Sequence, residues 1–238
     1  MAEVQLGDIT VDVVFKDIKN VHLSVCPPDG KVKIAAPVRM NLDTVRVYAI
    51  SKLAWIKQQQ RKLREQARET PREYLNLESH YVWGQRYLLS IAYSENAVGV
   101  FLKHRKIVLR LPPDSDQEKK QIMLEAWYRE ILKKAAQPLI AKWESVLGVT
   151  VSKVFVQRMK TKWGSCNPEA QSIRLNSELA KKAPACLEYI VLHEMMHLLE
   201  RHHNDRFMAL MDSHMPNWRS QRDELNRAPL GYESWGAL

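Results

Sequence analysis

The sequence predicts an α+β chain, with a β-rich N-terminal portion over residues 1–115 that carries one long helix, followed by a helix-rich domain over residues 116–238. Short runs in the first half alternate apolar and polar residues between Pro, Gly, Asn and Asp clusters, the period-2 mark of half-buried strands. From about residue 117 apolar residues recur at helical spacing instead. A hydrophobic content of 45% with 26% charged residues is ordinary for a globular chain, and 238 residues can bury a substantial core.

In order along the chain, strand-like runs fall within 4–15 and 21–36, among them Val11–Phe15, Val21–Val25 and Lys31–Ala35. Pro27-Pro-Asp-Gly30 is a turn signal between the last two, so a small β-meander is expected. Asn41 to Asp43 cap a long helical pattern through Val45, Ala49, Leu53, Ile56 and Leu63, whose basic end is read as a solvated face. A connector containing Pro71 leads to further strands at Tyr81–Ile91, Val98–Leu102 and Lys106–Leu111. Asp116 then caps a helix with a core stripe of Ile122, Met123, Ala126, Trp127, Ile131, Ala135, Leu139 and Trp143. Strands at Val154–Met159 and Ser172–Asn176 enclose Lys160-Thr-Lys-Trp-Gly-Ser-Cys166, and Pro184 opens the next helix. An apolar helical face follows at Phe207, Leu210 and Met211, and the sequence from Asn217 reads as a polar, basic tail.

Composition narrows function without naming it. The formal charge of +9, from 36 Lys plus Arg against 27 Asp plus Glu, favours anionic partners: nucleic acid, nucleotides or acidic peptides. Cys26, Cys166 and Cys186 lack paired spacing and imply free thiols in a reducing compartment. With no membrane-length apolar run and no signal-peptide pattern at Met1 to Gln5, no membrane is expected and a cytoplasmic location is.

The sharpest chemical signal lies in Leu187 to His203. His193 and His197 are four residues apart, one turn on one helical face, so their rings converge on a single ion. Glu194 stands on the flank of that pair, placed to take a proton from a metal-activated water without binding the metal. A catalytic Zn²⁺ takes about three protein ligands and one open position. His203, six residues beyond His197, is the third ligand of choice, with His202 as competitor and Glu200 standing where the longer motif of this kind has glycine. Ile190, Val191, Met195, Leu198 and Leu199 surround these groups with apolar positions, so a metal is the simplest way to satisfy buried imidazoles and a carboxylate.

Trp163, Gly164, Ser165 and Cys166 are candidate substrate contacts on a strand beside that helix, Gly164 permitting close approach; a tight hairpin with a buried tryptophan fits the pattern as well. Cys166 is read as a substrate contact or a buried thiol ahead of a fourth ligand, and His214 is a further ligand candidate.

Lys160–Cys166, Ile173–Asn176, Tyr189–Leu198 and His203–Phe207 together resemble the YgjP-like family of predicted metal-dependent hydrolases, relatives of the SprT-like zinc metallopeptidases. The resemblance extends over the β-rich half, and departs from it only in details such as Met195-Met196 and Met208. It implies a minimal zincin-like domain over residues 116–238, with the Trp-Gly-Ser-Cys strand beside the metal helix and His203 as third ligand. Peptide hydrolysis is the first expectation, with nucleoside triphosphate (UTP) pyrophosphohydrolysis second. A nucleic-acid-associated protein with a structural zinc site is the third.

Overall fold

The computed structural model describes residues 2–26, 30–65, 72–95, 97–159 and 162–227, leaving aside the side chains of Lys62 and Glu65. The chain divides into two compact units, one ending at Pro71 and one spanning Arg72–Ala228. The boundary expected at 115/116 falls inside the second of these.

In the first unit, β1 (Ala2–Leu6), β2 (Ile9–Lys16), β3 (His22–Cys26) and β4 (Lys31–Pro37) form one sheet in the order β1-β2-β4-β3. This is not the expected meander, because β2 and β4 pair in parallel while β1 and β3 pair antiparallel at the two edges. The burial pattern supplies the reason. Val11, Val13, Val32, Ile34 and Ala36 are buried on the two central strands, whereas β3 has no buried residue and is suited to an edge. Of the turn expected before β4, Pro27 to Asp29 lie outside the described residues.

The helical pattern after Asn41 is two helices rather than one, α1 (Leu42–Ser51) and α2 (Leu53–Glu65), separated at Lys52. Asn41 caps α1 as expected, its Oδ1 accepting the Thr44 N–H at 2.8 Å. Val45, Ala49 and Ile56 seal the core of this unit.

The second unit begins with a sheet of the same connectivity, β5 (Ser79–Val82), β6 (Gln85–Tyr93), β7 (Gly99–Lys103) and β8 (Lys106–Leu111), ordered β5-β6-β8-β7. The run Tyr81–Ile91, expected as one strand, is a hairpin. Trp83 and Gly84 both take positive φ, 51° and 77°, and turn the chain.

Helix α3 (Gln117–Leu147) is capped by Asp116, whose Oδ1 accepts the Lys119 N–H, and ends at Gly148 with φ 65°. Trp143 is buried as expected, but the rest of its most buried row is Leu124, Tyr128, Leu132, Ala136 and Ile140, one position from the stripe read in the sequence. Met123, Trp127, Ile131, Ala135 and Leu139 are only half-buried, and Ile122 is 55% exposed. The helix has apolar neighbours over a wide arc, so the bulkiest row is not its deepest.

A third sheet is built from β9 (Lys153–Gln157), β10 (Gly164–Asn167) and β11 (Ser172–Asn176), with β11 central, antiparallel to β10 and parallel to β9. This leaves β10 as an edge strand. A 3-10 turn, Ser177–Lys181, leads to α4 (Pro184–Met196), with Pro184 in its first turn. Nine α4 residues are buried around its circumference, so it is the central helix of the unit. The short α5 (Asp205–His214) follows, capped by Asn204. The polar sequence after Asn217, expected as a tail, forms α6 (Trp218–Arg227), anchored by the buried Trp218 and Leu225; Gly231–Leu238 lie outside the described residues. Two apolar anchors in ten residues are too few to announce a helix in sequence. The chain is α+β, and no helix among the described residues is long and apolar enough to cross a membrane.

Candidate active site

Helix α4 delivers both motif histidines, His193 in its last turn and His197 as its C-cap with φ −66° and ψ −13°. The chain then reverses by helical-type bonds: the Leu198 N–H to Met195 O at 3.0 Å, and the Leu199 and Glu200 N–H groups to Met196 O at 2.9 Å each. Among the described residues none from His197 to Asn204 has positive φ, so Glu200 takes the place of the expected glycine without backbone strain. Asn204 completes the reversal, its Oδ1 accepting the Phe207 N–H at 3.0 Å.

His203 thereby returns to the motif pair. Its Nε2 lies 3.1 Å from His193 Nε2, and one potential ligand atom from each of His193, His197 and His203 falls within 4.8 Å of the other two. Neither Cys166 nor His214 belongs to this group; the His214 Nδ1–H donates to Leu210 O within its own helix. His197 Nδ1–H donates to Glu200 O at 3.1 Å, which leaves the Nε2 lone pair for the cluster.

Phe207, 1% exposed, sits against all three imidazoles with ring centroids 5.1, 4.9 and 4.7 Å away. Tyr189, one turn before His193, meets that ring edge-on at 5.7 Å. Burial, reinforced by the other two histidines, pushes His193 down to about 3, and burial also lowers His197. Both rings are therefore neutral, the form that binds metal.

Glu194 is 5% exposed. Burial raises its carboxyl to about 8 against the opposing charge of Lys162. It packs under β10 so closely that a Cβ on Gly164 would lie 2.5 Å from its Oε1. The absent side chain of Gly164 is the space Glu194 occupies.

Trp163, Gly164, Ser165 and Cys166 all line a cleft of about 920 Å³ that also contains Glu194 and the three histidines. Burial and the Glu194 charge push the Cys166 thiol up to about 11, so it is protonated near neutrality.

Sequence reasoning missed the residue that holds this wall in place. The side chain of Asn176, at the end of β11, donates to Met159 O and Lys162 O at 2.8 Å each and accepts the N–H groups of Met159 at 3.3 Å and Glu178 at 3.2 Å. Its own N–H bonds to Trp163 O at 2.9 Å. It also missed α6, which brings Arg222 to the cleft. Tyr189 shares the four-residue spacing of the histidines and was within reach of the same periodicity.

Over residues 19–228 the sequence matches the family described as YgjP-like, metallopeptidase domain. The chain belongs to the YgjP-like family. As a YgjP-like protein with a metallopeptidase domain it is a hydrolase, and the family implies a metal cofactor and peptide or protein substrates. Solved structures similar to part of it include the metallopeptidase zymogen jannalysin of Methanocaldococcus jannaschii, at 19% identity and TM-score 0.34 over 37% of this chain and 85% of that one. The metallopeptidase zymogen abylysin of Pyrococcus abyssi is similar at 18% identity and TM-score 0.35, over 37% of this chain and 90% of that one. No curated protein matches the chain.

Proposed function

We propose that this YgjP-like protein is a zinc-dependent peptidase in which His193, His197 and His203 hold the ion and Glu194 is the general base. The donor set fits that ion. All three donors are imidazoles, and the 3.1 Å between His193 Nε2 and His203 Nε2 is close to the roughly 3.3 Å separating two nitrogens bound tetrahedrally at about 2.0–2.1 Å. When bound, zinc supplies Lewis-acid polarisation of a carbonyl and a charge that lowers nearby acid pKa values, that of water toward about 7.

The chain's own residues do the rest. Glu194 is buried under Gly164 yet lines the cleft, where its carboxylate can take a proton from water and its acid form can return that proton to the leaving amine. Among the described residues β10 is an edge strand that lines the cleft, so the backbone of Gly164, Ser165 and Cys166 can hold an extended peptide by strand addition while Trp163 walls it. Extended binding fixes the scissile bond relative to Glu194.

The observation that carries the reading is the approach of three imidazoles beside one buried carboxylate under an edge strand. Zinc-loaded wild type and Glu194→Gln are to be assayed on unfolded protein substrates and, in parallel, on a nucleoside triphosphate panel. The Gln variant is expected to keep its zinc and lose about 10²–10⁴-fold in peptide hydrolysis. Wild-type turnover by that variant, or release of UMP and diphosphate without any peptide cleavage, overturns the reading.

A further inference from the structure

The cleft over the histidines receives basic side chains from three separate segments: Lys162 ahead of β10, Arg201 in the turn after α4, and Arg222 on α6. Among the described residues that line it, the carboxylates are Glu169 and Glu194, the second buried beneath Gly164, while Asp223 pairs with Arg222 beside the cleft. Basic groups therefore outnumber accessible carboxylates along this lining, and the same groove contains an edge strand suited to a polypeptide backbone.

Arg222 is the best-held of the three. Its guanidinium carbon is 5.1 Å from the centre of the Trp218 ring. That indole stacks on Tyr189 at 6.1 Å with 15° between planes, and Tyr189 in turn abuts His193. An unbroken run of ring contacts thus ties Arg222 to the candidate metal centre. Its Nε and Nη2 both reach Asp223 Oδ1 at 3.2 Å, an exposed pair between adjacent residues that contributes little and that a substrate carboxylate can displace. The planar guanidinium matches a carboxylate through two parallel hydrogen bonds.

Resting on the peptidase reading above, we propose that the cleft selects polypeptide segments carrying Asp or Glu close to the scissile bond, with Arg222 as the specificity-determining residue that receives the carboxylate. A phosphate-bearing ligand is less well served, because nucleotide phosphates are commonly handled through Mg²⁺ held by carboxylates, and here one of the two carboxylates is buried at the histidines.

The test uses the zinc-loaded full chain and two quenched fluorescent peptides of equal length, one with Glu flanking a central apolar pair and one with Gln in the same places. Wild type is expected to favour the Glu peptide by about tenfold in kcat/KM, chiefly through KM, the low end for a charge-assisted hydrogen bond. The preference is expected to shrink with added salt. Arg222→Gln is expected to bring the ratio near one, and Arg222→Lys to retain part of it. Both peptides are cleaved by one preparation, so a partly folded variant alters the two rates together and leaves the ratio readable.

Equal cleavage of the two peptides by wild type, or an unchanged ratio in Arg222→Gln, overturns the selectivity and leaves the peptidase standing. Cleavage of neither, with nucleotide turnover intact, removes both.

Discussion

Gly164→Ala probes the contact on which the proposed chemistry depends. The backbone of Gly164 lies outside the positive-φ region, so alanine meets no conformational penalty there, and the whole effect comes from the added methyl group. That carbon would lie 2.5 Å from Glu194 Oε1, 2.7 Å from Cγ and 2.9 Å from Cδ, against 3.4–4 Å for ordinary contact. Glu194 must therefore retreat by about 1 Å, a displacement of a reacting group that costs about 100-fold in rate. Overpacking of the buried site adds a stability loss of about 1–3 kcal/mol. The nearest atoms to the new carbon all belong to Glu194, so the histidines and zinc binding are expected to be spared. Kinetics on a fluorogenic peptide, zinc stoichiometry and thermal unfolding together separate these effects. Undiminished kcat in folded Gly164→Ala would refute the argument, as would loss of activity in step with loss of zinc.

Other perturbations test neighbouring parts of the structure. His203→Ala removes one of the three converging imidazoles and is expected to lower zinc affinity by at least tenfold in a chelator competition; unchanged affinity would point to His202 as the ligand. Asn176→Ala leaves Met159 O and Lys162 O without their partner and is expected to lower unfolding free energy by about 1–3 kcal/mol in urea titrations while raising KM for peptides. A variant with native stability and KM would show that the amide does not hold the cleft wall. His80, 3% exposed, is pushed down to about 4, by burial first and by the Arg72 charge next. The unfolded chain takes up this proton below about 6.5, so the stability His80 contributes is complete above that pH and is lost as pH falls toward 4. The gain in unfolding free energy between pH 5 and pH 7 is expected to be on the order of 2 kcal/mol smaller in His80→Asn than in wild type; equal gains would show that this ring is not buried neutral.

What the sequence determined by itself was local. The four-residue spacing of His193 and His197 fixes their shared face, Asn41, Asp116 and Asn204 cap the helices that follow them, and Gly148 closes α3 through its positive φ. Each of these depends on bonds spanning a few residues, so residue type and position suffice. Tertiary structure alone decided what depends on contacts between distant segments. The parallel pairing of β2 with β4 cannot be read from alternation, which specifies a face but not a neighbour. The same limit hid the Asn176 clip on the loop before Trp163, the seating of Glu194 in the space left by Gly164, and the stack that carries Arg222 to the cleft. Glutamate beside a histidine is written in the motif, but its environment is set by a strand thirty residues upstream, and burial is what shifts its acidity.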